Sequence, residues 1–288
     1  MHNRVFLIKD YQIAQSFAQH LKETGVAFAT VEAEYGDFCV EGTHATLAHH
    51  VSIYRDFPAP CVRTDVSPLK DGVILISHLD LDTLGGIAIL EDRYTSHSFW
   101  ASEAIIDTKG ALGLPLIPSS DNELMEIFWA WENTCATLKP TSDFKILDVT
   151  TIVEERLSFL SQLLNDQLPY EDKTSYLKLF HDHLSDYLES CVYEDEQFKI
   201  FVNESPMHFK VHKQENKMIP ICIHYNPKRG SIIVSDISGR MDCGALMKEC
   251  FGPKAGGQFR IGGTPRDQFF SLFATLYLKT LIESRFSQ

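Results

Sequence analysis

Residues 73–86 read VILISHLDLDTLGG, and this stretch decides the fold. Four apolar residues in a row, Val73, Ile74, Leu75 and Ile76, mark a short strand buried on both faces. Such a strand belongs to a parallel sheet covered by helices rather than to a half-exposed antiparallel one. His78, Asp80 and Asp82 follow at i, i+2 and i+4. On an extended chain alternate side chains share a face, so the three converge on one point just past the strand. In open α/β sheets ligands bind there. One nitrogen and two carboxylate donors suit a hard or borderline divalent ion such as Mn2+ or Mg2+. Gly85 and Gly86 are expected to open the next helix, whose free N–H groups favour an anion. The competing reading is that the Asp and Thr side chains only cap that helix.

Outward from this stretch, residues 5–8 are a short apolar run expected as a strand. Residues 12–23 place Ile13, Phe17 and Leu21 at helical spacing, and 26–31 are strand-like again. A β-α-β opening supports the parallel sheet. Residues 104–106 read as a further strand ending at Asp107, and 144–149 as one containing Asp148. The middle of the chain predicts helices over 122–134, with Phe128, Trp129 and Trp131, over 151–164, and over 173–191. The second of these begins with a Thr151–Glu154 capping pattern. From about Glu194 strands return, at 198–202, 208–212, 220–225 and 231–237. The turn NPKRG joins the last two as a hairpin. A short helix over 244–250, a glycine-rich run and a helix over 268–284 follow. The expected fold class is α/β: a parallel-sheet N-terminal domain over 1–150, a helical connector over 151–193 and a smaller α+β C-terminal domain over 194–288.

The 288 residues carry 26 Lys and Arg against 39 Asp and Glu, a net charge of −13. That balance disfavours a sequence-independent grip on long nucleic acid, which needs a basic face. It leaves room for a small phosphorylated substrate whose charge is met by metal ions. No apolar run approaches the roughly 20 residues of a membrane span, so no membrane partner is expected. The short apolar start is followed at once by charge and reads as a strand, not a signal peptide. Seven cysteines without a CxxC pair read as free thiols in a reducing, cytoplasmic setting. Of twelve histidines, His44, His49 and His50 crowd one irregular segment that ends in Pro58 and Pro60. A sheet order that brought this segment beside Ile76 would let His49 or His50 reach a metal or a phosphate.

SHLDLDTLGG, residues 77–86, resembles the first motif of the DHH phosphoesterase superfamily, His-x-Asp-x-Asp followed by a small-residue turn. ALMKECFGPKAGGQFRIGG, residues 245–263, is similar to the DHH-associated C-terminal domain. There a helix precedes a Gly-Gly-His-x-x-x-x-Gly loop that closes over the substrate. The resemblance implies Mn2+ or Mg2+ held by His78, Asp80, Asp82 and Asp107. Asp107 stands in the place of the family's metal-bridging aspartate. It further implies substrate contacts from Gly256, Gly257, Gln258, Arg260, Gly262 and Gly263, and metal-assisted hydrolysis of a small or short phosphoester.

The sequence also departs from that pattern. The Asp-His-His triplet is absent. His181-Asp182-His183 has the wrong order, and at i and i+2 of a helix its histidines point apart. His49 and His50 are the candidates to replace it. Gln258 stands where the loop histidine is expected; it can hydrogen-bond but cannot carry a proton. Arg260 is expected to meet the phosphate instead, flanked by Lys254 and Arg266. Asp148 reads as a helix cap or a later ligand. These departures hold open a second reading, a chain that binds a nucleotide or another phosphorylated ligand without turning it over. A cysteine hydrolase fits poorly, because no cysteine sits in a nucleophile turn.

Overall fold

The computed structural model describes residues 3–93, 97–135, 145–204, 212–214, 217–265 and 268–286. The chain divides into two compact units, the first from residues 1–108 and 115–178, the second from 109–114 and 179–288.

The first unit contains β1 (Arg4–Ile8), α1 (Tyr11–Glu23), β2 (Phe28–Val31), β3 (Glu34–Tyr35), β4 (Phe38–Cys39), β5 (Ala45–Leu47) and β6 (Val73–Ile76). It continues with α2 (Leu81–Leu90), α3 (His97–Lys109), α4 (Ser119–Thr134), β7 (Ile146–Asp148) and α5 (Thr150–Leu164). Five strands form one sheet in the order β5-β2-β6-β1-β7. All neighbours are parallel except β7, which runs antiparallel to β1. The VILI strand is therefore central, with Leu75 opposite Phe6 on one side and Thr30 on the other.

Both faces of this sheet are covered, as the unbroken apolar run requires. Ile8, Phe28, Val73 and Leu75 pack against Ala14, Ala18 and Leu21 of α1. Those helix residues stand at i, i+4 and i+7, and Asp10 starts the helix by accepting a 3.0 Å hydrogen bond from the Ile13 N–H. On the other face Val5, Leu7, Val31, Ile74 and Ile76 pack with Leu84 and Ile87 of α2 and Val153, Leu157 and Leu160 of α5. Ile74, Leu75 and Ile76 have no exposed surface. Each contributes roughly 1.5–3 kcal/mol by burial.

Three local expectations need correction. Residues 104–106 are not a strand: they lie inside α3, whose buried Phe99, Ser102, Glu103 and Ile106 follow i, i+3, i+4, i+7. A three-residue apolar run was too short to separate the two periods. Gly85 and Gly86 do not open α2, which starts four residues earlier; they let it pack closely. A Cβ on Gly85 would stand 2.2 Å from the Cβ of Cys61, and one on Gly86 2.7 Å from Cγ1 of Val31. The capping pair Thr151–Glu154 is displaced, because α5 begins at Thr150. Asp148 accepts from the Thr150 amide at 3.1 Å, and Glu154 pairs with Arg93 at 2.6 Å.

α6 (Tyr170–Glu189) runs from the first unit into the second. The second unit then holds β8 (Cys191–Glu194), β9 (Phe198–Val202), β10 (Lys213–Gln214), β11 (Lys217–Met218), β12 (Ile221–Asn226) and β13 (Ser231–Asp236). α7 (Cys243–Phe251), β14 (Gly256–Gln258), β15 (Ile261–Gly263) and α8 (Leu272–Phe286) complete it. Its six-stranded sheet has the order β14-β15-β13-β12-β9-β8. The expected β12–β13 hairpin is present, pairing Tyr225 with Ile232. Ile200, Ile221, Ile223, Ile232 and Val234 pack with Leu246 and Met247 of α7 and Leu278 and Ile282 of α8. Of the strand expected over 208–212, only His212 lies among the described residues.

Candidate metal site

The sheet order places β5 beside β2 and β2 beside β6, so the chain leaving each strand arrives at the same end of the sheet. Glu32 directly follows β2, His49 and His50 follow β5, and Ser77, His78, Asp80 and Asp82 follow β6. Asp107 comes from α3. The structure brings these side chains together in one cluster.

Glu32 sits at its centre. It is 1% exposed and has φ +46°, a left-handed conformation uncommon for a residue with a side chain. Such strain costs of order 1–3 kcal/mol and is characteristic of functional positions. Its Oε1 lies 3.1 Å from His49 Nε2 and 3.2 Å from His50 Nε2. Its Oε2 lies 3.2 Å from His78 Nε2 and accepts a 2.7 Å hydrogen bond from the Thr83 hydroxyl. His49 Nε2 also faces Asp82 Oδ2 at 3.3 Å and Asp107 Oδ2 at 3.4 Å, and His78 Nε2 faces Asp80 Oδ2 at 3.0 Å.

Neighbouring groups fix these side chains. The Ser77 hydroxyl donates to the Glu32 carbonyl oxygen and meets His78 Nδ1 at 2.9 Å. With that hydroxyl's hydrogen already used, Nδ1 must donate. Burial works against charge on His78, but Asp80 and Glu32 outweigh it and hold its pKa well above the usual imidazole range; loss of the Nε2 proton would free that lone pair for a metal. The Cys61 amide donates to Asp82 Oδ1 at 2.8 Å, turning Oδ2 into the cluster. Glu34 accepts from the amides of His50 and Val51, each at 3.0 Å, and so anchors the backbone that carries both imidazoles.

The expected triplet is divided. Asp80 is the N-cap of α2, with Oδ1 accepting from the Thr83 amide at 3.0 Å, while Asp82 lies in the helix's first turn. The chain turns helical at Leu81, so the alternation of an extended strand stops there. His78 and Asp80 consequently group with Glu32, and Asp82 and Asp107 group with His49. Glu32, His49 and His50 make a third possible donor set.

The donor arithmetic fits a cation. Oδ2 of Asp82 and Oδ2 of Asp107 are buried and accept no hydrogen bond. One imidazole N–H of His49 cannot serve Glu32, Asp82 and Asp107 together. Glu103, 9% exposed, stands one helical turn before Asp107. Burial first, then Asp80, Asp82 and Asp107, hold its carboxyl well above the usual range. Burial and then Asp82 push Asp107 up to about 7. Burial works against charge on His49, but Asp82 and Glu32 outweigh it and raise its pKa to about 10. Without metal, the histidines thus act as counter-ions. Imidazole and carboxylate donors together suit Mn2+ and similar divalent ions.

The other candidates are placed as follows. His44 Nε2 contacts the Ser67 carbonyl at 2.8 Å, and His181 and His183 are exposed on α6. Asp148 pairs with Arg4 at 2.7 Å. Trp131 stacks on Phe159 with centroids 4.1 Å apart. Gly256, Gly257 and Gln258 lie on β14, and Gly262 and Gly263 on β15. The hairpin's own packing demands two of these glycines: a Cβ on Gly257, at φ +143°, would meet the Ile261 oxygen at 2.3 Å, and one on Gly262 the Cys243 oxygen at 2.5 Å. Arg260 Nη1 donates to the Ile237 carbonyl at 2.7 Å. Arg266 lies outside the described residues. No described helix is long and apolar enough to cross a membrane.

No family profile matches the chain, and no curated protein matches it. Among solved structures, it is similar to the pGpG-specific phosphodiesterase PggH of Vibrio cholerae, with TM-score 0.43 and 10% identity over 99% of this chain and 98% of that one. It is also similar to an uncharacterised protein of Helicobacter pylori G27, with TM-score 0.22 and 16% identity over 75% of each chain. Scores this low assign neither fold nor activity to this chain.

Proposed function

We propose that this chain is a divalent-metal-dependent phosphohydrolase, DHH-like, acting on a small or short phosphoester such as a nucleotide or oligonucleotide. The observation that carries the proposal is the convergence of three imidazoles with Glu32, Asp80, Asp82 and Asp107 at the ends of three strands, with two buried carboxylate oxygens lacking a hydrogen bond. His49 has one Nε2, so the sets Glu32–His49–His50 and His49–Asp82–Asp107 cannot hold separate ions. Glu32–His78–Asp80 and His49–Asp82–Asp107 share no residue and would hold two ions. Bound there, Mn2+ or Mg2+ supplies Lewis acidity toward a phosphoryl oxygen and a water acidic enough to ionise near neutral pH.

The chain's own residues have separate tasks. Ser77 keeps His78 Nε2 turned inward. Thr83 and the Cys61 amide orient Glu32 and Asp82. The assignment of Gly256, Gly257, Gln258, Arg260, Gly262 and Gly263 to the substrate rests on the resemblance alone. The test is manganese-dependent phosphate-ester cleavage, using bis-p-nitrophenyl phosphate and short oligonucleotides. Turnover abolished by His78→Ala and by Asp82→Asn supports the proposal; wild-type protein that binds manganese but cleaves none of them contradicts it.

A second reading, a ligand binder without turnover, is favoured by one observation. The Arg260 fork expected to meet phosphate is engaged with Ile237, and Gln258 cannot carry a proton. Nucleotide binding by calorimetry without product would select it.

A further inference from the structure

Helix α8 packs on the second unit's sheet through Thr275, Leu278 and Ile282, which are buried. The opposite side of its first two turns is also apolar. Leu272 is 38% exposed, Phe273 80%, Leu276 45% and Tyr277 62%, and Phe269 just before the helix is 68% exposed. Leu272, Phe273, Leu276 and Tyr277 stand at i, i+1, i+4 and i+5, one stripe of the helix, and Phe269 precedes its first turn. A helix apolar on every side is normally covered on every side. No charged side chain occurs from Gln268 to Leu278, in a chain whose net charge is −13.

We infer that this stripe is where a second copy of the chain docks, through a two-fold interface that sets α8 against α8. A stripe without charge is complementary to itself, and two copies that repel elsewhere approach there without a like-charge penalty. Aromatic side chains bury about 150–250 Å2 each, so the exposed fractions of these five residues offer roughly 500 Å2 per copy. A symmetric pair then covers about 1,000 Å2, the lower bound for a specific interface. Leucine and aromatic ridges at i±3 and i±4 are the surfaces by which antiparallel helices interlock. A membrane surface is the poorer occupant, because a chain of net charge −13 is repelled by anionic lipid.

The test is light scattering coupled to size exclusion over a range of protein concentrations. The expected mass is 65.4 kDa, twice the 32.7 kDa of one chain. Phe273→Glu and Tyr277→Glu each return it to one chain, with circular dichroism and bound metal unchanged because both side chains lie off the second unit's core and the metal donors all belong to the first unit. Tyr170→Glu, at a residue 82% exposed on α6, leaves the dimer intact. Wild-type protein that keeps the mass of one chain at every concentration overturns the inference, as does a dimer that survives both α8 substitutions. A monomer that cosediments with phosphatidylcholine vesicles assigns the stripe to lipid and overturns it equally.

Discussion

The acidic cluster of the first unit and the glycine hairpin of the second treat their polar groups in opposite ways. In the hairpin each notable feature is used internally: Gly257 and Gly262 are required by neighbouring backbone, and Arg260 serves a carbonyl oxygen of its own unit. In the cluster the fold leaves more than it uses. Glu32 is strained, Oδ2 of Asp82 and of Asp107 go without a hydrogen bond, and buried Glu103 is forced toward its neutral form. A buried group without a partner costs stability, and a fold tolerates several in one place when something else binds there. The difference teaches that a motif's letters locate a segment, while unsatisfied polar atoms locate a function.

The largest expected effect comes from the donors. His49→Ala, His78→Ala or Asp82→Asn lowers bound metal, read by elemental analysis, and takes hydrolysis to background. Ser77→Ala and Thr83→Val leave the donors in place but unfix them, and metal affinity measured by calorimetry falls about 10–100-fold. If both variants bind metal as wild type does, the contrast between the two regions weakens.

Stability against pH sharpens the comparison further. Asp107 is raised from 3.8 to about 7, chiefly by burial, so its ionisation in the unfolded chain costs folded-state stability as pH rises through that window. His49 is raised from 6.5 to about 10. Its contribution is complete below 6.5 and is lost as pH rises through 10. Both signs agree, so the metal-free protein should lose melting temperature from pH 6 to pH 10. Metal binding should strengthen over the same range, because His49 must give up its proton to become a ligand. Asp107→Asn relieves the repulsion and should raise the metal-free melting temperature by roughly 2–4 °C while impairing metal binding. The smallest effect belongs to the hairpin: Arg260→Ala should cost about 1 kcal/mol in denaturant unfolding and leave metal affinity unchanged.

Much of the framework was legible because it rests on periodicity. The unbroken VILI run read correctly as a strand buried on both faces, and the β12–β13 hairpin announced itself through its turn. Asp107 was noticed, but its element was misread: a short apolar run preceding an aspartate looks the same on a strand and on a helix, and only the buried positions of the whole α3 separate them. Glu32 escaped notice although it is the cluster's hub. A lone glutamate after an apolar strand is ordinary, and its importance depends on β2 lying beside β6, a fact of tertiary pairing. The signal that could have found it is its position: Glu32 ends the FATV strand as His78 and Asp80 follow the VILI strand. Glu103 was missed for the same reason, since only its burial distinguishes it from any helical glutamate.

The most direct measurement is the metal content of purified protein after incubation with excess manganese and removal of the free ion. The expected result is about two ions per wild-type chain, falling when Asp82 is changed to Asn. Wild-type protein that retains no divalent ion, with its fold intact by circular dichroism, would contradict the metal centre and the hydrolase built upon it.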